Sequence, residues 1–407
     1  MEVKKRILVI GINCFPELTG IGKYSGEMVQ WLAENGYDTT MVTTPPYYPN
    51  WKVQKPYSGN WYVKEHHTNN LTLYRCPLYV PVNPSGLKRM IHEVAFFASA
   101  FFVIVKLLFE EKHDLIFAVA PPFLIGFLAL FYRFFKGGKI VYHIQDLQID
   151  AAKELEMLSP WMFGVLFWME RFILKHVNFV SSISEGMLSK IRNKVQRSVL
   201  FFPNWVDTES FYPLDDREVL KQKWGYQLTD TVVLYSGSIG EKQGLDSLIR
   251  IAQQLQYKPN IQFIICGTGP YKEELMRLAK AAALTNMKFL PLQDYAVFNE
   301  FLNMADIHLV LQKANASDLV MPSKLTAILS VGGLALATAS PGTTLHDVID
   351  KYKMGIVITP EDEIKLAKTI LSISESDQNE TRENARAYAI QFLNKHNILS
   401  KIMTDLN

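Results

Sequence analysis

The sequence twice sets an apolar strand against a glycine-bearing loop and then a helix, an order that few folds accommodate. Near the N-terminus, 7–13 (ILVIGIN) runs into FPELTGIGKY and a helix expected over 24–34, closed by Asn35-Gly36. About 230 residues later, a strand over 232–236 runs into SGSIGEKQG and a helix expected over 245–256. In this second unit Gly237, Gly240 and Gly244 let the backbone turn tightly and let a large group approach. Lys242 brings a cation to the mouth of a helix whose free N–H groups already favour anions. The combination reads as a phosphate cradle, although by pattern alone a structural turn accounts for it equally well. Two such halves imply a cleft between them.

A chain of 407 residues exceeds one ordinary core and implies two or three domains. In the first half, strands are expected at 39–43, 71–76, 115–119, 139–144 and 178–183, and 199–202 leads into the stretch that follows. In the second half they are expected at 262–266, 288–290, 307–311, 335–338 and 355–358, with helices at 271–283, 295–304 and 324–329. Such alternation specifies α/β architecture, a parallel sheet covered on both faces. The turn-rich stretch PNWVDTESFYP (203–213) is the linker. The expected domains are 1–205 and 206–384, with a final amphipathic segment, 385–407, returning to the first.

A formal charge of +2 without a basic tract argues against a nucleic-acid partner. Three widely spaced cysteines suit reduced thiols in the cytosol, and no export leader or metal-ligand spacing is present. The most unusual stretches are the apolar 94–109 and 123–135, each shorter than the roughly 20 residues that span a bilayer. They read as buried helices flanking a sheet. Alternatively, with Lys88, Arg89 and Lys106 nearby, and with a third aromatic helix over 161–174 beside Arg171 and Lys175, one face rests on an anionic membrane surface.

Ligands in open α/β sheets bind beyond the carboxyl ends of the strands. That places HIQDLQID, with His143, Gln145, Asp146 and Asp150, at such an edge; Asp146 is the acceptor-contact candidate and His143 the weaker one. The stiff aromatic loop PPYYPNW (45–51) is either a surface turn or a wall on which a sugar ring stacks.

The order PELTGIG, QDLQID, PNWVD, SGSIGEKQG, CGTGP and MPSKL resembles the retaining nucleotide-sugar glycosyltransferases of family 4, over nearly the whole chain. It is most similar to the colanic-acid and O-antigen fucosyl or N-acetylfucosaminyl transferase type. The resemblance implies the GT-B architecture, two Rossmann-like domains with parallel sheets facing a central cleft. It implies that the loop 237–244, with Gly237, Ser238, Gly240 and Lys242, holds the donor diphosphate; Ser238 stands where many members carry arginine. Gly20 and Gly22 would approach the diphosphate and the reacting sugar from the other domain. Gly267, Gly269, Pro291 and Leu292 would lie where nucleobase and ribose sit. The family's two glutamates fall on Leu319 and Ala327, neither acidic, and Asp318 is the neighbouring substitute. In MPSKL, Ser323 would cap a helix facing the diphosphate and Lys324 would add charge.

The implied reaction is retaining transfer from a UDP- or GDP-sugar, leaning toward fucose or an amino-deoxysugar. The implied acceptor is an undecaprenyl-diphosphate-linked saccharide at the inner face of the cytoplasmic membrane. Without an Asp-X-Asp motif, no metal and no other cofactor is expected, Lys242 and helix ends taking the metal's role. A GT-B epimerase or phosphorylase, or a catalytically silent membrane-surface scaffold, remain the alternatives.

Overall fold

The computed structural model describes residues 5–17, 20–59, 61–154, 159–314 and 322–406, without the side chains of Ala151, Glu154 and Lys242. It divides into two compact units, Met1–Pro203 and Asn204–Asn407.

In the first unit the strands are β1 (Arg6–Ile10), β2 (Asp38–Thr43), β3 (Val63–Thr68), β4 (Leu71–Arg75), β5 (Leu115–Ala120), β6 (Lys139–Ile144), β7 (Phe179–Ser182) and β8 (Leu200–Phe201). They lie in the order β3-β4-β2-β1-β5-β6-β7-β8. All neighbours pair in parallel except β3, which runs antiparallel on β4. The centre reads as unbroken apolar runs such as LIFAVA in β5, buried at every position because helices cover both faces. The strand β3 was not expected. Its sequence, VKEHHT, is polar and largely exposed, which suits an edge that must not recruit another chain but leaves no apolar alternation to detect.

The second unit holds β9 (Thr231–Ser236), β10 (Ile261–Cys266), β11 (Met287–Leu290), β12 (Ile307–Val310), β13 (Ala335–Thr338) and β14 (Gly355–Ile358), ordered β11-β10-β9-β12-β13-β14 and wholly parallel. This is the Rossmann order, and it reverses direction between β9 and β12. The glycine loop after β9 therefore opens at a topological switch point, as the loop after β1 does between β1 and β5.

Several helices depart from the expected bounds. The first begins at Gly20 rather than Tyr24, so Gly20 and Gly22 sit in a helical turn instead of a loop. The apolar helix expected from 94 begins at Gly86 and spans 22 residues to Leu107. By length and composition it is long enough to cross a membrane, yet Phe96, Ala100, Val103, Ile104 and Leu107 pack into the core over the sheet. Thr344–Tyr352 is an additional helix, started by the Thr343 side chain accepting from the His346 N–H.

The linker and the chain end are tied together within the second unit. Val206 bridges Asn394, Lys395 Nζ pairs with Asp207 at 2.7 Å, and Asn394 donates to the Thr208 hydroxyl at 2.7 Å. Cys14, Cys76 and Cys266 are buried free thiols.

Candidate active site

In the second unit the carboxyl ends of β9, β10 and β11 are pressed together. Gly237 N–H donates to the Cys266 carbonyl at 3.0 Å, and Ile239 N–H to the Thr268 carbonyl at 2.9 Å. A Cβ on Gly267 would stand 1.9 Å from the Gly237 carbonyl oxygen, and one on Gly269 2.0 Å from that of Ile239. Both glycines have φ near +150°, which side chains rarely tolerate. Their first duty is thus to let two loops touch. Lys272 pins the same ends, donating to the carbonyls of Gly267 (2.8 Å) and Leu290 (2.9 Å). Pro291 accepts from the Cys266 thiol, and Leu292 is exposed.

The loop after β9 contains a 3-10 turn, Glu241–Gln243, that places Lys242 by its backbone. Gly240 N–H is held by the Gln243 side chain at 3.1 Å, and Gly244 takes the left-handed conformation before the helix Asp246–Gln254. The Tyr235 hydroxyl donates to the Ser238 carbonyl at 2.6 Å and so fixes the loop from below.

Beneath this loop lies Lys324. Its Nζ stands 3.5 Å from the centre of the Tyr235 ring, and a Cβ on Gly237 would be 3.3 Å from it. Part of the residue reaches the surface, but the nitrogen itself does not, and among the described residues it has no hydrogen-bond partner. Burial pushes its pKa down to about 7. Ser323 does not cap the helix Lys324–Ser330: its backbone is already helical, its hydroxyl takes no capping bond, and its carbonyl accepts from Thr326. Asp318 lies outside the described residues.

A cavity of about 240 Å³ opens at the far end of the same loop, walled by Gln243, Gly244, Asp246, Arg250, Lys313 and Glu363 among others. Neither Gly237 nor Lys324 lines it. Of its two cations among the described residues, Arg250 is already answered by Glu363 and Asp246, and Lys313 is the other.

In the first unit, Gly22 leaves room for Glu17, whose Oε2 would be 2.6 Å from a Cβ there. Glu17 is buried, accepting from the N–H groups of Tyr47 and Tyr48 (2.8 Å each) and from Asn13 Nδ2 (2.8 Å). Burial raises its pKa against those bonds. The aromatic loop is thereby hung on the β1 loop: Tyr47 hydrogen-bonds His92 at 2.9 Å, and Trp51, at φ +49°, packs on His92 under the Arg89 guanidinium. The fully buried Arg75 closes the joint, donating to Glu65 and to the carbonyls of Thr44 and Phe15. None of Glu17, Asn13 and Arg75 was anticipated. The signal was a lone acid beside the glycines of PELTGIG.

The edge after β6 divides by role. His143 is a core residue, bonded to Ser181 at 3.0 Å and held neutral by burial, its pKa pushed down to about 3. Asp150 and Glu170 share Lys194 (2.5 and 2.7 Å). Asp146 stays exposed, two strands from β1, beside Glu93, whose pKa burial raises to about 7. Among the described residues no group of three His, Cys, Asp or Glu side chains could hold a metal.

Residues 19–205 match the glycosyl transferase 4-like domain and residues 216–392 the glycosyl transferases group 1 family. The chain is 39% identical to WcaI of Escherichia coli (strain K12), a protein named for glycosyl transfer in colanic acid biosynthesis, over 98% of this chain and 99% of that one. The chain is a family 4 glycosyltransferase. The transferase shares its fold with sucrose-phosphate synthase from Thermosynechococcus elongatus (TM-score 0.77, 16% identity, 98% of each chain covered). It also shares it with Anabaena HepE in complex with UDP and glucose (TM-score 0.72, 15% identity, 99% of each chain). Its architecture is therefore GT-B. Ala327, where the resemblance sets the second family glutamate, is buried in an apolar cluster.

Proposed function

We propose that this transferase moves a sugar, fucose or an amino-deoxysugar, from a UDP- or GDP-linked donor onto an undecaprenyl-diphosphate-linked saccharide during synthesis of a bacterial surface polysaccharide. Its likeness to WcaI, named for colanic acid biosynthesis, supports the pathway. HepE, solved with UDP and glucose, supports the donor class. The observation that carries the reading is the amine of Lys324, buried against the backbone of Gly237 at the switch point of the second sheet with no hydrogen-bond partner among the described residues.

As the glycosidic C–O bond breaks, negative charge grows on the β-phosphate, and cations fixed beforehand stabilise it more than they stabilise the ground state. Lys324 and Lys242 supply that charge, so the reaction proceeds without a metal. The acceptor hydroxyl forms its new bond to the anomeric carbon on the face that the diphosphate leaves, and its proton passes to the departing phosphate, giving retention. Asp146, exposed beyond β6, orients the acceptor.

The first unit brings that acceptor to hand from a membrane. Helices Gly86–Leu107, Ile125–Lys136 and Pro160–His176 lie side by side, joined by Phe101–Phe131 and Phe127–Phe172 ring contacts. Outward they show Phe102 (67% exposed), Phe134 (82%) and Trp168 (66%) among Lys88, Arg171 and Lys175, a composition suited to an anionic inner leaflet.

Thermal unfolding in UDP, GDP, CDP and ADP tests the donor site, because a nucleotide at 100-fold its Kd adds about 2.7 kcal/mol. Stabilisation by UDP or GDP is expected, and none by any nucleotide would sink the reading. Lys242→Ala should cut turnover on the order of 10²-fold. EDTA should leave it intact, and strict dependence on Mg²⁺ or Mn²⁺ would overturn the metal-free mechanism.

A further inference from the structure

A lysine nitrogen removed from water with no carboxylate beside it is at odds with ordinary protein construction, where buried charges are paired or surrendered. Lys324 is such a nitrogen. It lies over the Tyr235 ring, against Gly237, with no hydrogen-bond partner among the described residues.

Among the described residues the surroundings offer no counter-ion. The strand β9 brings only Tyr235, whose hydroxyl is turned away to the Ser238 carbonyl. In the loop after it Glu241 is exposed. The strand β12 brings His308, packed where a Gly333 side chain would begin and kept neutral by burial, its pKa near 3. Helix Lys324–Ser330 carries no other ionisable group. Helix Asn379–Tyr388, packed on it, spends Arg386 on the carbonyls of Ser330 and Phe211 and Arg382 on that of Asp306, at the far end from Lys324. Among the described residues burial is the one cause of the shift of Lys324.

We infer that above neutral pH Lys324 is uncharged while the site is empty and takes a proton from solvent when a nucleoside diphosphate binds, so that the ion pair forms only with the ligand in place. This rests on the donor-site reading above and adds to it a proton stoichiometry. The incoming pyrophosphate supplies the missing counter-charge; its field raises the lysine's proton affinity and one H⁺ moves from water to Nζ. A lysine suits this task where an arginine does not, since a guanidinium cannot give up its proton. The consequence for specificity is that the site recognises a polyanion able to charge it, and discriminates against nucleosides and monophosphates more strongly than a standing cation would.

The test is isothermal titration of the full-length protein with UDP and with GDP at pH 8.5, where the nucleotide's terminal phosphate is already ionised. It is repeated in two buffers of different ionisation enthalpy so that the bound protons can be counted. Close to one proton should be taken up per nucleotide, and affinity should fall about tenfold per pH unit above pH 7.5. Lys324→Met, which keeps the volume and removes the amine, should bind more weakly with no proton uptake and no such slope. Nucleotide binding by the wild type without uptake would overturn the inference and leave the donor site standing, a result that needs no variant. Equal uptake in wild type and Lys324→Met would also overturn it. Failure of both nucleotides to bind would remove the donor-site reading and the inference with it.

Discussion

Both units place an ionisable side chain under a glycine beside the strand where their sheet reverses direction, and they treat it in opposite ways. In the first, Glu17 sits against Gly22 and accepts three hydrogen bonds from its own chain. In the second, Lys324 sits against Gly237 and makes no hydrogen bond among the described residues. A satisfied buried polar group is a joint: it holds the aromatic loop to the β1 loop and has nothing left to offer. An unsatisfied one costs stability for as long as the site is empty, and that cost is recovered when a ligand of opposite sign arrives. The same fold element, repeated, thus yields a scaffold in one unit and a binding site in the other.

The largest expected effect separates the glycines. Gly267→Ala drives a Cβ to within 1.9 Å of a backbone oxygen at φ +150°, where neither partner can step aside. It should destabilise the second unit by about 4 kcal/mol or more, read by urea unfolding. Gly22→Ala meets the Glu17 side chain instead, at 2.6–2.8 Å, and should cost about 1–3 kcal/mol because that chain can shift. Equal costs would show that the two contacts are equivalent after all.

The next effect has opposite signs in the two units. Glu17→Ala strands the N–H groups of Tyr47 and Tyr48 and the Asn13 amide, and should cost about 2–4 kcal/mol. Lys324→Met removes an unpaired amine and should raise stability at pH 7 by about 1 kcal/mol or more. The lysine's pKa falls on folding from 10.5 to about 7, so between those values the unfolded chain holds a proton that the folded chain has released. Wild-type stability should therefore rise with pH across that window, by up to about 1.4 kcal/mol per unit, while Lys324→Met stays flat. The methionine's advantage is greatest below pH 7. A destabilised Lys324→Met, or parallel pH profiles, would mean that the lysine has a partner.

The sequence announces the sheets because their signal is local: continuous apolar runs such as IQFIIC, each followed by a helix. It announces the switch-point loops because glycine and proline punctuate them. What it hides is where a side chain is spent. SGSIGEKQG draws attention to Lys242, yet the amine beneath the loop is that of Lys324, over 80 residues away, brought there through the pairing of β9 with β12. GTGP reads as an approach for ligand, whereas Gly267 and Gly269 are required first by Gly237 and Ile239. HIQDLQID reads as four polar candidates, and packing reserves His143 for Ser181 and Asp150 for Lys194, leaving Asp146 exposed. Periodicity records which face of an element is buried, not which polar atom on it finds a mate.

The smallest effect on stability concerns the outer face. Trp168 lies on Phe172 with most of its ring in solvent, so Trp168→Ala should change folding stability by less than about 0.5 kcal/mol. On vesicles containing anionic lipid the same change should weaken binding about tenfold, since an indole that enters the headgroup region contributes roughly 1.4 kcal/mol. The second unit provides the control: Tyr257 is equally exposed, at 68%, but belongs to no aromatic face, and Tyr257→Ala should leave vesicle binding unchanged. If both substitutions weaken sedimentation with vesicles alike, exposure alone drives the association and the first unit's three apolar helices have no special claim to the membrane. If only Trp168→Ala does so, the unit that has spent its switch-point charge on its own loop is also the one that carries the lipid-facing surface.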